Sequence, residues 1–112
     1  MQIDSTDDHR RIPLSFATAE GKEAIVKPLL GTEKVEVDSK DGYGRTPLSL
    51  AAESGHGRIA KLLVEIGNVV VDSKDENGWT PLSFAAARGH EKIVKLLLEA
   101  GKVEVDSKDE EG

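Results

Sequence analysis

The sequence predicts a mainly α-helical solenoid in which helix pairs alternate with β-hairpin loops, and three observations carry that prediction. The stretch Thr46 to Asp75 returns 34 positions later, from Thr80 to Asp109, and in degraded form 34 positions earlier, from Ile12 to Asp41. A fixed period of this size marks a stacked-repeat protein. Within each period, two short apolar patterns at helical spacing are followed by a run of turn-forming residues. Helices this short are unstable alone, so the units must bury one another.

The first helix of a unit starts at a threonine. Thr46 and Thr80 stand where an N-cap hydroxyl can accept from an early helical N–H, and Pro47 and Pro81 take the first helical position, where a missing N–H costs nothing. Leu48, Ala51 and Ala52 lie at i, i+3 and i+4, a stripe whose alanines admit a close neighbour. Gly55 and Gly89 end this helix, because glycine takes the left-handed C′ conformation without a Cβ penalty.

The second helix follows at once. Ile59, Leu62, Leu63 and Ile66, and in the next unit Ile93, Leu96, Leu97 and Ala100, sit at i, i+3, i+4 and i+7. Gly67 and Gly101 close it. Val69 and Val71, like Val103 and Val105, then alternate as in a strand, before the turn-forming runs DSKDGYG and DSKDENG.

The first and last units depart from this scheme. Pro28 stands where Leu62 and Leu96 stand, and a proline inside a helix costs roughly 3 kcal/mol. Gly31 replaces Glu65 and Glu33 replaces Gly67, so this helix is expected to be kinked or shortened and unit one to fray first. In the last unit Ile93, Val94, Leu96, Leu97 and Leu98 form an apolar flank that a following unit would cover, which predicts self-association or end-to-end stacking. The units run over about 8–41, 42–75 and 76–109 of one domain spanning 1–112. Ile3 to Asp7 and Glu110 to Gly112 continue the same phase at the two ends, as expected of a piece of a longer array or of a built three-unit version.

Composition bounds the function. Hydrophobic residues at 38% and charged residues at 32% suit a soluble folded chain rather than a disordered tail. A net charge of -6 and a pI near 5.0 argue against nucleic acid as a partner, since the phosphate backbone calls for a basic stripe. The absence of cysteine fits a reducing compartment. MQIDSTDDHRR carries charge where a secretion signal needs an apolar run, and no segment approaches 18 apolar residues. The expectation is a soluble intracellular protein of the cytoplasm, with no membrane partner.

Chemistry finds little support. Ser, His and Asp are all present, but nothing in the pattern brings a base, a nucleophile and an oxyanion pocket together. DSKDENG lacks the alternating oxygen ligands and the distal bidentate Glu of a calcium loop. Gly42-Tyr43-Gly44-Arg45-Thr46 lacks the lysine of a phosphate cradle. No catalytic, cofactor-binding or metal-binding residue is assigned, no cofactor is called for, and the chain is read as a non-enzyme.

The string G-x-TPLS-x-AA-x-x-GH, followed by I-x-K-L-L and a late Gly, resembles the ankyrin repeat across essentially the whole chain, as three units. The joint presence of DSKD and TPLS is similar to the long ankyrin arrays attached to fungal NLR-like receptors. The resemblance implies that His56 and His90 brace the turn between helices. Two departures matter. Ser15, Ser49 and Ser83 replace the histidine usual in TPLH, so a shorter hydroxyl contact or a water must take over its hydrogen bond. The unit is also one residue longer than is usual, between Gly67 and Asp72, which should bulge or kink the hairpin.

The resemblance further implies a concave strip made by the hairpin tips and the exposed side of each first helix. The matching positions are Asp8, His9, Arg11, Ala19 and Glu20; then Gly42, Tyr43, Arg45, Glu53 and Ser54; then Glu76, Asn77, Trp79, Ala87 and Arg88. Core positions repeat while these change. They include the single Trp and the single Tyr of the chain, with Arg11, Arg45 and Arg88, and these are the residue types that dominate interface hot spots. Tyr43, Arg45, Glu53, Ser54, Glu76, Asn77, Trp79, Arg88, Arg11 and Glu20 are therefore the candidate protein-binding residues. The competing reading has Trp79 and Tyr43 shielding neighbouring turns and the arginines paired with local acids such as Asp75 or Glu53. Phe84 could be packed or in the contact surface. The function expected is a protein-binding module, and the alternative is a self-associating spacer that uses its uncapped terminal units.

Overall fold

The computed structural model describes residues 13–32, 35–66 and 68–101. Among them are six α-helices: α1 Pro13–Glu20, α2 Glu23–Leu30, α3 Pro47–Ser54, α4 Gly57–Glu65, α5 Pro81–Arg88 and α6 Glu91–Ala100. Thr46 and Thr80 cap α3 and α5, each hydroxyl accepting the N–H of the serine three residues on, at 3.2 and 3.1 Å. Those serines also answer for the missing histidine. The hydroxyls of Ser49 and Ser83 lie 3.2 and 3.0 Å from the same threonine oxygens, so the contact is made hydroxyl to hydroxyl within the cap.

Gly55 ends α3 in the left-handed region at φ 80°, and the His56 N–H then closes the turn on the Ala51 carbonyl at 3.0 Å. Equivalent bonds, Lys22 to Ala17 at 2.8 Å and His90 to Ala85 at 2.9 Å, fold each pair of helices back on itself across a two-residue link. The pairs then stack: α3 lies between α1 and α5, and α4 between α2 and α6. The core fills the space between these two layers, with Leu14, Val26, Leu48, Leu63 and Ile93 almost completely removed from water.

Pro28 shortens its helix. It lies within α2, which has 8 residues against 9 in α4 and 10 in α6. The helix then unwinds through tighter bonds, Gly31 to Pro28 and Thr32 to Leu29, both at 3.1 Å. Glu33 lies outside the described residues. At the far end Gly101 caps α6 with its N–H on the Leu97 carbonyl, but at φ -88°, outside the left-handed region that Gly55 and Gly89 adopt.

The loops keep the tips of hairpins without their ladders, and no strand occurs among the described residues. At each tip an aspartate N–H reaches across the turn, Asp41 to the Arg45 carbonyl and Asp75 to the Trp79 carbonyl, both at 2.9 Å. A physical reason for the missing ladder is visible at Val70. Its N–H, which a paired strand would use, donates instead to the Asp38 carboxylate of the preceding unit at 3.0 Å. Asn68 is left-handed at φ 54°, in the stretch that holds the extra residue, and no ladder among the described residues is there for a bulge to interrupt. Gly67, expected to close α4, lies outside the described residues.

The apolar flank expected on the last unit is narrower than the sequence implies. Ile93 and Leu97 are buried, Val94 and Leu96 are half-buried, and Leu98 alone of the five is exposed. The first two point at the helices of their own and the preceding unit, which cover them whatever follows.

Candidate protein-binding surface

Each loop tip is built around the last aspartate of DSKD. Asp41 is buried, and its Oδ1 accepts the N–H groups of Tyr43 and Arg45, both at 2.9 Å. Asp75 does the same for Asn77 at 2.8 Å and Trp79 at 2.9 Å. A carboxylate that accepts two backbone donors fixes the turn, and the turn fixes where the next side chains emerge. Tyr43 and Arg45 leave one tip, and Asn77 and Trp79 leave the next. The tips are locked together where the Glu76 N–H donates to the Tyr43 carbonyl at 3.0 Å, so Glu76 contributes its backbone to the stack while its side chain stays exposed. A Cβ on Gly44 would fall 2.9 Å from the Glu76 nitrogen, which leaves that position to glycine.

Glu53, on α3, organises the charges beside the tips. Its Oε1 accepts from Arg45 Nη1 at 2.8 Å and its Oε2 from Arg88 Nη2 at 3.2 Å, so one carboxylate holds arginines from two units. Arg45 also lies 4.8 Å over the Tyr43 ring and 3.6 Å, through Nε, from the Asp41 carboxylate. Arg88 is the more exposed of the two guanidinium groups, with 56% side-chain exposure against 17%. Trp79 rests on Phe84 of α5 with ring centroids 5.1 Å apart and the planes tilted by 38°. Phe84 is itself buried, while Trp79 and Tyr43 remain large exposed aromatics.

Two depressions follow this line. One, of about 710 Å³, lies over Ala19, Leu50, Glu53 and Ser54, and the other, of about 420 Å³, over Tyr43, Asn77, Trp79 and Phe84. Arg45 and Arg88 belong to both, so the two are joined through the arginine pair. Of the residues expected to bind, Tyr43, Arg45, Glu53, Ser54, Asn77, Trp79 and Arg88 come together here. Glu20 is exposed at the end of α1 and lines neither depression, and Arg11 lies outside the described residues. Leu50 and Phe84 provide apolar floor, which period comparison hides because their positions are apolar in every unit. A third depression, of about 620 Å³, lies on the other helix layer, with Ile93 and Leu96 at its floor and Arg58, Lys61 and Lys92 around it.

The histidines prove to be joints between units. His56 Nε2 lies 3.3 Å from the Ala19 carbonyl and His90 Nε2 3.3 Å from the Glu53 carbonyl, so each braces the turn of the unit before its own. DSKD has the same character. Asp38 receives Val70 from the next unit, Lys40 Nζ donates to the Lys74 carbonyl at 3.2 Å, and Asp41 holds its own tip. Asp38 and Lys40 thus serve the joint between units, which a reading of one unit at a time misses, while the last aspartate serves its own tip.

The family model for ankyrin repeats, in three copies, matches residues 6–109. The chain belongs to the ankyrin repeat family. A search of curated proteins finds no match to it. Ankyrin repeats are in general protein–protein interaction modules and typically non-enzymatic scaffolds, and the helical-repeat architecture seen here is theirs. The match is to the repeats and carries no statement about receptor arrays. Among the described residues of this ankyrin chain, no helix is long and apolar enough to cross a membrane, and no group of three or more His, Cys, Asp or Glu is placed to hold a metal ion.

Proposed function

We propose that this ankyrin domain is a non-catalytic module that binds another protein along the strip from Tyr43 to Arg88. The observation that supports the reading is the pair of joined depressions, where exposed aromatics and a two-arginine cluster share one surface. Trp79 and Tyr43 offer area with a polar handle, and Arg88, tied by a single 3.2 Å bond, can exchange Glu53 for an acceptor on the partner. A cytoplasmic setting suits a binding module without cysteine. The test is affinity capture with the full chain, read by mass spectrometry. A partner retained by the wild type and lost on both Trp79→Ala and Arg88→Ala supports the strip. A partner retained equally by both variants overturns it.

Association of copies through the end units is a second reading, favoured by the exposure of Phe16, Ile25 and Leu98. A partner-free chain that grows in mass with concentration would support it.

A further inference from the structure

Positions one period apart let the interior of the stack serve as a template for its ends. Ile25 is 51% exposed, whereas its equivalents Ile59 and Ile93, which press on the unit before them, are each 2% exposed. Phe16 is 37% exposed against 3% and 8% for Leu50 and Phe84. At the opposite end Leu98 is 52% exposed, while Leu30, one unit removed from it twice over, is 8% exposed under the unit that follows. Ala86 is likewise exposed where Thr18 and Ala52 are fully buried.

The two open faces are made of residues already used inside. Unit one offers Phe16 and Ile25, the same types as Phe84 and Ile93, which unit three seats on unit two. Unit three offers Leu82, Ala86, Val94 and Leu98, and each type occurs at its equivalent position on a covered face, as Leu48, Ala52, Val26 and Leu30. We infer that copies of this chain stack head to tail, the face of α5 and α6 on one copy receiving the face of α1 and α2 on the next. This rests on the reading that copies associate, and it leaves the concave strip free. Such a contact joins two different faces, so it does not close, and copies add indefinitely in one direction.

One position sets how tightly they add. Inside the stack an imidazole lies flat where a Cβ would stand, with His56 Cε1 2.8 Å from that point at Gly21 and His90 Cε1 2.6 Å from it at Gly55. Gly89 has the same left-handed backbone, φ 75°, and none of the described residues lies within 4 Å of its Cβ position. The residue that would arrive there from a second copy is Lys22, in the histidine's place. Its ammonium can donate to the Ala87 carbonyl, as histidine does one unit earlier, but a flexible stem cannot fill the flat space over Gly89. The joint between copies is therefore weaker than the joints within one.

Sedimentation of the full chain over a concentration series tests this, using Ile25→Asp, Leu98→Asp and Lys22→His. The wild type is expected to pass beyond dimer as concentration rises, and each Asp variant to stay monomeric with a helical circular dichroism spectrum like that of the wild type. An equimolar mixture of the two Asp variants should stop at dimer, since each keeps the face the other lacks. Lys22→His should lower the concentration for assembly about tenfold, roughly one hydrogen-bonded packing contact. A wild type that stays monomeric overturns both the inference and the association reading. A wild type that assembles while Ile25→Asp also does so, or while Lys22→His changes nothing, overturns the head-to-tail joint and leaves association standing.

Discussion

Asp41 shows how one side chain can place a whole loop tip. It is buried and accepts two backbone N–H groups, so Asp41→Ala strands both donors and should cost about 1–3 kcal/mol, seen as a lower urea midpoint. Asp75 makes the same pair of bonds in a more exposed tip, and Asp75→Ala should cost less in the same measurement. Thr18 is the converse case. Its hydroxyl is buried with no hydrogen-bond partner among the described residues, and Ala52 and Ala86 occupy its place in the other units. Thr18→Ala should raise the urea midpoint, by about 1 kcal/mol, and a drop in stability would show that the hydroxyl is satisfied. At this scale the positions that fail to repeat named Tyr43, Arg45, Glu53, Ser54, Asn77, Trp79 and Arg88, which lie together around the two joined depressions. The competing reading named Glu53 as an acid for the arginines, and the structure does pair it with both Arg45 and Arg88. What period comparison could not give is that one carboxylate joins two units, since it says nothing of how side chains 35 positions apart meet.

At the scale of the element, the helices could be read from their ends. Thr-Pro at the start and Gly-His at the finish are chemical signals, and the caps and left-handed glycines occur where those signals stand. The loops read less well, since alternating valines indicate strand character but not what their N–H groups will bond, and at Val70 the partner is a side chain of another unit. Helix α2 carries the clearest prediction. Pro28→Leu restores a backbone donor and the residue of the other two units, and should raise stability by about 1–3 kcal/mol while slowing amide exchange across Glu23–Leu30. In the wild type those amides should exchange faster than those of α4, because α2 is the shortened helix and, among the described residues, packs on a neighbouring unit on one side where α4 does so on two. Equal protection of α2 and α4 would contradict this.

At the scale of the molecule, stability lies in the contacts between neighbours. Leu63 is fully buried in the unit covered on both sides, so Leu63→Ala should cost about 2–5 kcal/mol by thermal or urea denaturation. Its equivalent Leu29 is half-buried in the end unit, and Leu29→Ala should cost distinctly less. The Glu53 bridge has a further consequence for how such a chain diversifies. The joints through Asp38 and Lys40 depend on residues that recur in phase in all three units, so a whole unit can be duplicated, deleted or exchanged by recombination and still find these sockets, while the histidine joint is kept only between units that carry His56 or His90. The bridge obeys no such rule. Glu53 meets Arg88 only because unit three follows unit two, and the equivalent of Arg88 in unit two is Ser54. Reordering the same units would therefore write a new surface chemistry without altering one residue, and the lineage of a binding face is the lineage of its unit order.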